Sequence, residues 1–168
     1  MPGDPYRTLY DLAVAPDALL RQTIERGRAA RAACIFCRIV RGAAEAGIVH
    51  RDPFTLAFMN LRQANAGHVL VIPRRHVETV YELDDALAAR VAQTVVRVSR
   101  GVRAAMNAEG LSIWQSNGEA AFQEVPHVHV HLFPRRKGDG YLRVYPSHPA
   151  PQSPAVLEAL AAKIRAAL

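Results

Sequence analysis

The sequence predicts an α+β fold: about five strands in a largely antiparallel sheet with two main helices, preceded by a helical extension. Three observations carry this. Short β-branched runs, bounded by Gly, Pro, Asn or Asp, recur on both sides of one long amphipathic stretch. Strands come first, then a helix, then strands again, which is not the regular alternation of a parallel sheet. Half of the 168 residues are hydrophobic against 21% charged, enough for one buried core.

Residues 1–33 read as an N-terminal extension. Pro2, Pro5 and Pro16 punctuate it, and "DALLRQTIERGRAARAA" then has helical character, with Asp17 as N-cap and a ragged apolar face of Leu19, Leu20, Ile24 and Ala30. Arg21, Arg26, Arg28 and Arg31 decorate the rest, read as a solvated face or else as an anion-binding or partner helix. The main domain runs from Cys34 to Leu168. "GIVHR" and "TLAFMN" are strands around a turn at Asp52 and Pro53. "HVLVIP", 68–73, is a third strand that stops at its proline. From Asp84 to about Asn107, Leu87, Val91, Val95, Val98, Val102 and Met106 fall on one helical stripe and predict core packing. "LSIWQS" and "VPHVHVHLF" complete the strands. A Pro-rich connection, 146–154, leads to a closing helix capped by Ser153 with Pro154 in its first turn.

Composition narrows the function. Twenty-one basic against fifteen acidic residues give a net charge of +6, which suits a phosphate-bearing ligand. Scattered charge of that size does not require nucleic acid, and no such partner is expected. No apolar stretch is long enough for a membrane span. The N-terminal residues lack a basic region followed by an apolar one, so no secretory signal is predicted and the cytoplasm is the expected compartment. The two cysteines, Cys34 and Cys37, are too few for a disulfide scaffold and point to metal or redox chemistry.

The chemistry concentrates in "HVHVH", 127–131. In a strand, His127, His129 and His131 share one face, roughly 6.5–7 Å apart along it, while Val128, Val130 and Leu132 face the core. Packing alone rarely selects three polar rings on one face. The three either bind a metal together or act on substrate as nucleophile and acid–base groups. Upstream, Ser116, Asn117, Gly118 and Gln123 in "QSNGEAAFQEVP" offer small neutral hydrogen-bonding groups suited to phosphate oxygens. Arg135, Arg136 and Lys137 add positive charge downstream. Cys34 and Cys37 need two further ligands to hold zinc. Otherwise they are packed thiols or a redox pair. His68 is read as a structural hydrogen-bonding residue, and His148 as exposed.

These motifs resemble the histidine triad (HIT) family, whose signature His-φ-His-φ-His-φ-φ stands here as His127-Val-His129-Val-His131-Leu132-Phe133. "CIFCRIVRG", "AFMNLRQANAGHVLVIPRRHV" and "KGDGYLRVYPSH" match in order, so the resemblance spans about residues 34–148 and is nearest the bacterial Hit-like branch. It implies a half-barrel-like sheet, a homodimer, and hydrolysis or transfer of nucleotidyl groups. Dinucleoside polyphosphates or nucleoside phosphoramidates would be the substrates, with an AMP-like product. By the resemblance His129 is the nucleophile, His131 contacts the phosphate oxygens and His127 orients the others. Gln123 lies near the leaving-group oxygen, Ser116 and Asn117 near the phosphate, Asn60 on the ribose, and Leu61 and Phe36 in the base pocket. Neither chemical step requires a catalytic metal. The branch further implies a structural zinc held by Cys34, Cys37, His76 and His127. The alternative reading is a dimeric nucleotide-binding regulator with incidental hydrolysis. A DNA-end repair role fits less well, because only a tail helix follows the triad. One departure is Phe122, where many relatives carry Gly. Phe does not readily take positive φ, so the phosphate loop is expected to differ in shape or Phe122 to narrow the leaving-group site.

Overall fold

The computed structural model of the chain describes residues 17–141 and 150–168. The segment before Asp17, the first part of the Pro-rich connection and His148 lie outside the described residues. Two compact units are present, one running to Lys137 and the other from Gly138 to Leu168. The first contains helix α1 (Asp17–Ala33), short helix α2 (Ile35–Val40), strands β1 (Ile48–Arg51), β2 (Thr55–Met59) and β3 (Val69–Pro73), helix α3 (Asp85–Met106), and strands β4 (Gly110–Trp114) and β5 (Val130–Arg135). The second contains helix α4 (Pro154–Arg165), capped as predicted by Ser153. No helix among the described residues is long and apolar enough to cross a membrane.

The five strands form one antiparallel sheet in the order β1-β2-β3-β5-β4. Strands β2 and β3 are apolar at nearly every position because both faces of the sheet are covered there. One face carries Ala57, Val69, Val71 and Leu132 against Val91, Val98 and Val102 of α3. The other carries Leu56, Phe58, Leu70 and Ile72 against Phe36 and Ile39 of α2. Each of the Val, Leu, Ile and Phe side chains among these contributes about 1.5–3 kcal/mol on burial, so the middle of the sheet is firmly held.

Helix α3 begins where Asp84 accepts the Leu87 N–H at 2.8 Å, and it ends at Asn107 with φ 47°. Its stripe is as predicted, with one polar member. Thr94 is buried and its hydroxyl meets Thr55 Oγ1 at 2.8 Å. Asp52 anchors that turn by accepting from the Phe54 and Thr55 N–H groups and from Thr55 Oγ1.

The triad segment differs from the sequence prediction. Strand β5 starts at Val130, not Val125, so His131 alone of the three lies in the strand proper. Pairing with β3 extends only over Val69–Val71. Before Val130 the chain runs beside the loop after β3, where the Val128 N–H bonds the Val77 carbonyl at 2.7 Å. Pro126, with no N–H to give, precedes that contact. Because this approach segment is covered on both sides, His127, Val128 and His129 are all buried, and the strict inward–outward alternation expected of a strand is lost there.

Candidate functional site

Four imidazoles meet at the start of β5, and their partners fix every tautomer. His129 Nδ1 lies 2.7 Å from the His127 carbonyl. A carbonyl only accepts, so Nδ1 carries the hydrogen and Nε2 keeps a free lone pair. His127 Nε2 lies 2.8 Å from the Pro73 carbonyl, so it donates there and Nδ1 is bare. Asn60 Nδ2 lies 3.0 Å from the Arg62 carbonyl, which makes it the amide nitrogen, and its other hydrogen goes to His68 Nδ1 at 2.9 Å. His68 therefore carries its hydrogen on Nε2 and donates it to His131 Nδ1 at 2.9 Å. His131 is left with an Nε2–H. The site thus presents one nucleophilic lone pair, on His129, and one donor, on His131, with the two rings 5.0 Å apart.

Burial keeps these rings neutral. It pushes His131 down to about 3, with His129 and His68 beside it adding to the fall. It pushes His127 down to about 4. His129 and His68 are lowered for the same first reason. For His129, donation to the His127 carbonyl and the nearby Glu124 carboxylate oppose the fall. A neutral imidazole is the form that can attack phosphorus.

The loop between β4 and β5 is braced by its own polar side chains. Gln123 accepts the Gly118 N–H at 2.7 Å and donates to the Glu78 carbonyl at 2.6 Å. Asn117 accepts the Val80 N–H at 2.8 Å and exchanges hydrogen bonds with Gln115. Ser116 is half-buried beside them. Phe122 does adopt a left-handed conformation, φ 61°, with 90% of its surface exposed. Phenylalanine does not readily take this geometry, but here the bonds on either side of it hold the turn, so a loop of different shape is not required on that ground.

Phe36 is buried and packs edge-on against His129 at 5.3 Å and His127 at 5.8 Å, forming a wall beneath them. Leu61 is 95% exposed on the turn after β2. Arg136 donates to the Met106 and Asn107 carbonyls at the C-terminal end of α3, and Arg135 to Ser112. A cavity of about 330 Å³ lined by Pro53, Phe54, Arg75, Leu87 and Arg90 contains no imidazole. Its Arg75 is paired with Asp84 and its Arg90 lies over Phe54.

Cys34, Cys37, His76 and His127 place their ligand atoms within 4.8 Å of one another. His76 Nδ1 is 3.3 Å from Cys37 Sγ, and His127 Nδ1 is 3.6 and 3.7 Å from the two sulfurs. Tetrahedral zinc with two sulfur and two nitrogen ligands needs roughly 3.6 Å between S and N. The donor set therefore fits. The Pro73 carbonyl holds His127 in the tautomer that turns its lone pair into the cluster. Without a cation, burial and then the adjacent Cys34 push the Cys37 thiol up to about 11.

Three contributors go beyond the sequence reading. His68 makes the structural hydrogen bonds read for it, and through one of them it sets the His131 tautomer. Trp114 stacks on His131, with centroids 4.3 Å apart and planes at 8°. The Pro73 carbonyl orients His127. Only the β4–β5 register, which pairs Trp114 with His131, reveals the second of these.

Comparison with known proteins matches residues 41–138 to the HIT domain. Protein Hit of Bacillus subtilis is 39% identical over 132 residues, covering 78% of this chain and 91% of that protein. The Schizosaccharomyces pombe adenosine 5'-monophosphoramidase hnt1 is 35% identical, covering 78% and 95%. A zinc-bound histidine triad family protein from Mycobacterium smegmatis superposes with a TM-score of 0.63 at 32% identity, covering 82% of this chain and 99% of that one.

Proposed function

The chain belongs to the HIT family, and from that premise we propose that it cleaves adenylylated compounds at the α-phosphate through a covalent nucleotidyl-His129. One observation carries this reading. His129 donates Nδ1–H to a backbone carbonyl and so presents a neutral, unshared Nε2 beside the Nε2–H of His131. In the first step that lone pair attacks the α-phosphorus. An N–P bond forms, and the bond to the leaving group breaks, the leaving group taking both electrons and a proton from solvent. Charge gathers on the phosphate oxygens, where a fixed donor is worth most, and His131 supplies it. In the second step water attacks phosphorus and loses a proton to solvent, the N–P bond breaks and His129 regains its lone pair. Gln123 and Asn117 hold the loop in shape, with Gln123 set near the leaving-group oxygen and Asn117 near the phosphate. The similarity to a named phosphoramidase supports a nucleoside phosphoramidate as substrate.

Cys34, Cys37, His76 and His127 would hold a structural zinc ion. Bound there, zinc would neutralise the thiolates and join α2 to the triad segment. Elemental analysis of the purified protein should give about one zinc per chain in wild type and far less in Cys34→Ser. An equal content in both would remove the cluster from consideration.

The catalytic test compares wild type with His129→Ala on adenosine phosphoramidate and on diadenosine tetraphosphate. AMP release should fall by about three orders of magnitude or more, as for other nucleophile deletions. The acid-labile adenylyl adduct seen by intact mass should vanish with it. Wild type that binds AMP yet turns over neither compound would instead favour a nucleotide-binding regulator.

A further inference from the structure

We propose that Trp114 is a positioning residue for His131, its indole fixing the plane in which the imidazole presents Nε2–H to the substrate phosphate. This rests on the catalytic reading above. An imidazole on a strand turns about its Cβ–Cγ bond. The His68 hydrogen bond holds Nδ1 of His131 near one point but leaves the ring free to tilt, since hydrogen bonds tolerate substantial bending. A flat stack removes that freedom. Trp114 is the cross-strand partner of His131 on the rigid β4–β5 pair, and its ring lies 8° from parallel at 4.3 Å. The other rings around His131 do not do this: His68 is inclined by 33° and His129 by 58°. The indole also lies 5.6 Å from the His68 ring and 5.8 Å from that of Phe133, so it flanks both partners of the His68–His131 bond. One hydrogen bond and one stack together define a single direction for the His131 donor. That direction matters because small displacements of a charge-stabilising group lose large factors in rate.

The test is a double-mutant cycle on AMP release from adenosine phosphoramidate. Trp114→Leu should lower kcat on the order of tenfold, with KM within about twofold of wild type because the donor matters most in the transition state. Trp114→Phe, which keeps a flat ring, should recover most of the loss. In a His131→Gln background the same Trp114→Leu change should alter kcat less than about twofold, because nothing remains to be positioned. Equal losses in both backgrounds, or Trp114→Phe as poor as Trp114→Leu, would reduce Trp114 to a space-filling residue and overturn the proposal. A wild type without turnover would sink the catalytic reading itself. NMR of folded wild type tests the geometry whether or not Trp114→Leu folds. The His131 ring protons should lie upfield, shielded by the indole, and unshielded resonances would also overturn the proposal.

Discussion

At the level of single residues, the site is a set of tautomers fixed by carbonyls and one amide. His129 and His131 have the same side chain in the same motif, yet they end with opposite roles because their Nδ1 atoms meet opposite partners. One donates to the His127 carbonyl and the other accepts from His68. Phe122 illustrates the opposite situation, a conformation imposed against the residue's preference. A non-glycine residue in the left-handed region is held there at about 1–2 kcal/mol, and this ring, 90% exposed, recovers little by packing. Phe122→Ala should therefore leave the urea midpoint nearly unchanged. Phe122→Gly should be about 0.5–1 kcal/mol more stable than the alanine variant, the relief of strain exceeding the added chain entropy. An alanine variant at least as stable as the glycine one would mean the turn is not strained in solution. The triad was legible in the sequence because three imidazoles at alternate positions are chemically conspicuous, whereas the grouping of Cys34 and Cys37 with His76 and His127 came only from the family resemblance. Trp114 was not legible, because its role depends on which residue lies opposite it across two strands.

Among the elements, the turn from β2 to β3 is the one that serves the site most directly. Gln63 closes it with four hydrogen bonds, donating to the Asn60 and His68 carbonyls and accepting the Gly67 and His68 N–H groups. Gly67 takes φ +97°, and a Cβ there would come within 2.4 Å of Met106 Cγ and 3.4 Å of Pro134 Cγ. Met106 can swing aside, but the backbone strain remains. Gly67→Ala should lose about 1–3 kcal/mol in urea denaturation. Because His68 is the next residue, it should also lower kcat more than a stability loss of that size would explain. Full activity in a destabilised Gly67→Ala variant would separate the turn from the chemistry. The strands and helix α3 were readable within a residue or two, since period and punctuation agree over their whole length. The start of β5 was not. "VPHVHVHLF" alternates like a strand throughout, but β3 pairs only with its second half, and pairing partners cannot be read from one segment.

Across the whole molecule, the buried imidazoles tie acid stability to the neutral state that the proposed chemistry requires. His127 and His131 are held at about 4 and about 3, below the ordinary value near 6.5, and His129 and His68 are lowered too. The unfolded chain takes up protons near pH 6.5 that the folded chain refuses. Stability must therefore be complete above that pH and fall as pH drops through the window from about 6.5 toward 3–4. Each imidazole can contribute up to about 1.4 kcal/mol per pH unit within it. Asp52 behaves oppositely in origin. Burial raises its carboxyl, but the hydrogen bonds from Phe54, Thr55 and His50 outweigh burial and bring it to about 2. Its contribution is present above the ordinary carboxylate value near 4 and is lost only as pH falls further toward 2. The two losses are separable on the pH axis. With excess chelator present, so that proton-driven metal release cannot mimic the effect, the urea midpoint should be flat from pH 8 to 7. It should then decline steadily from about 6.5 to 4.5, before Asp52 titrates. His131→Asn should make that decline shallower, because one refused proton is gone. A midpoint that stays level down to pH 5 would mean the four rings accept protons in the folded state, and then His129 would not be the neutral nucleophile its surroundings describe.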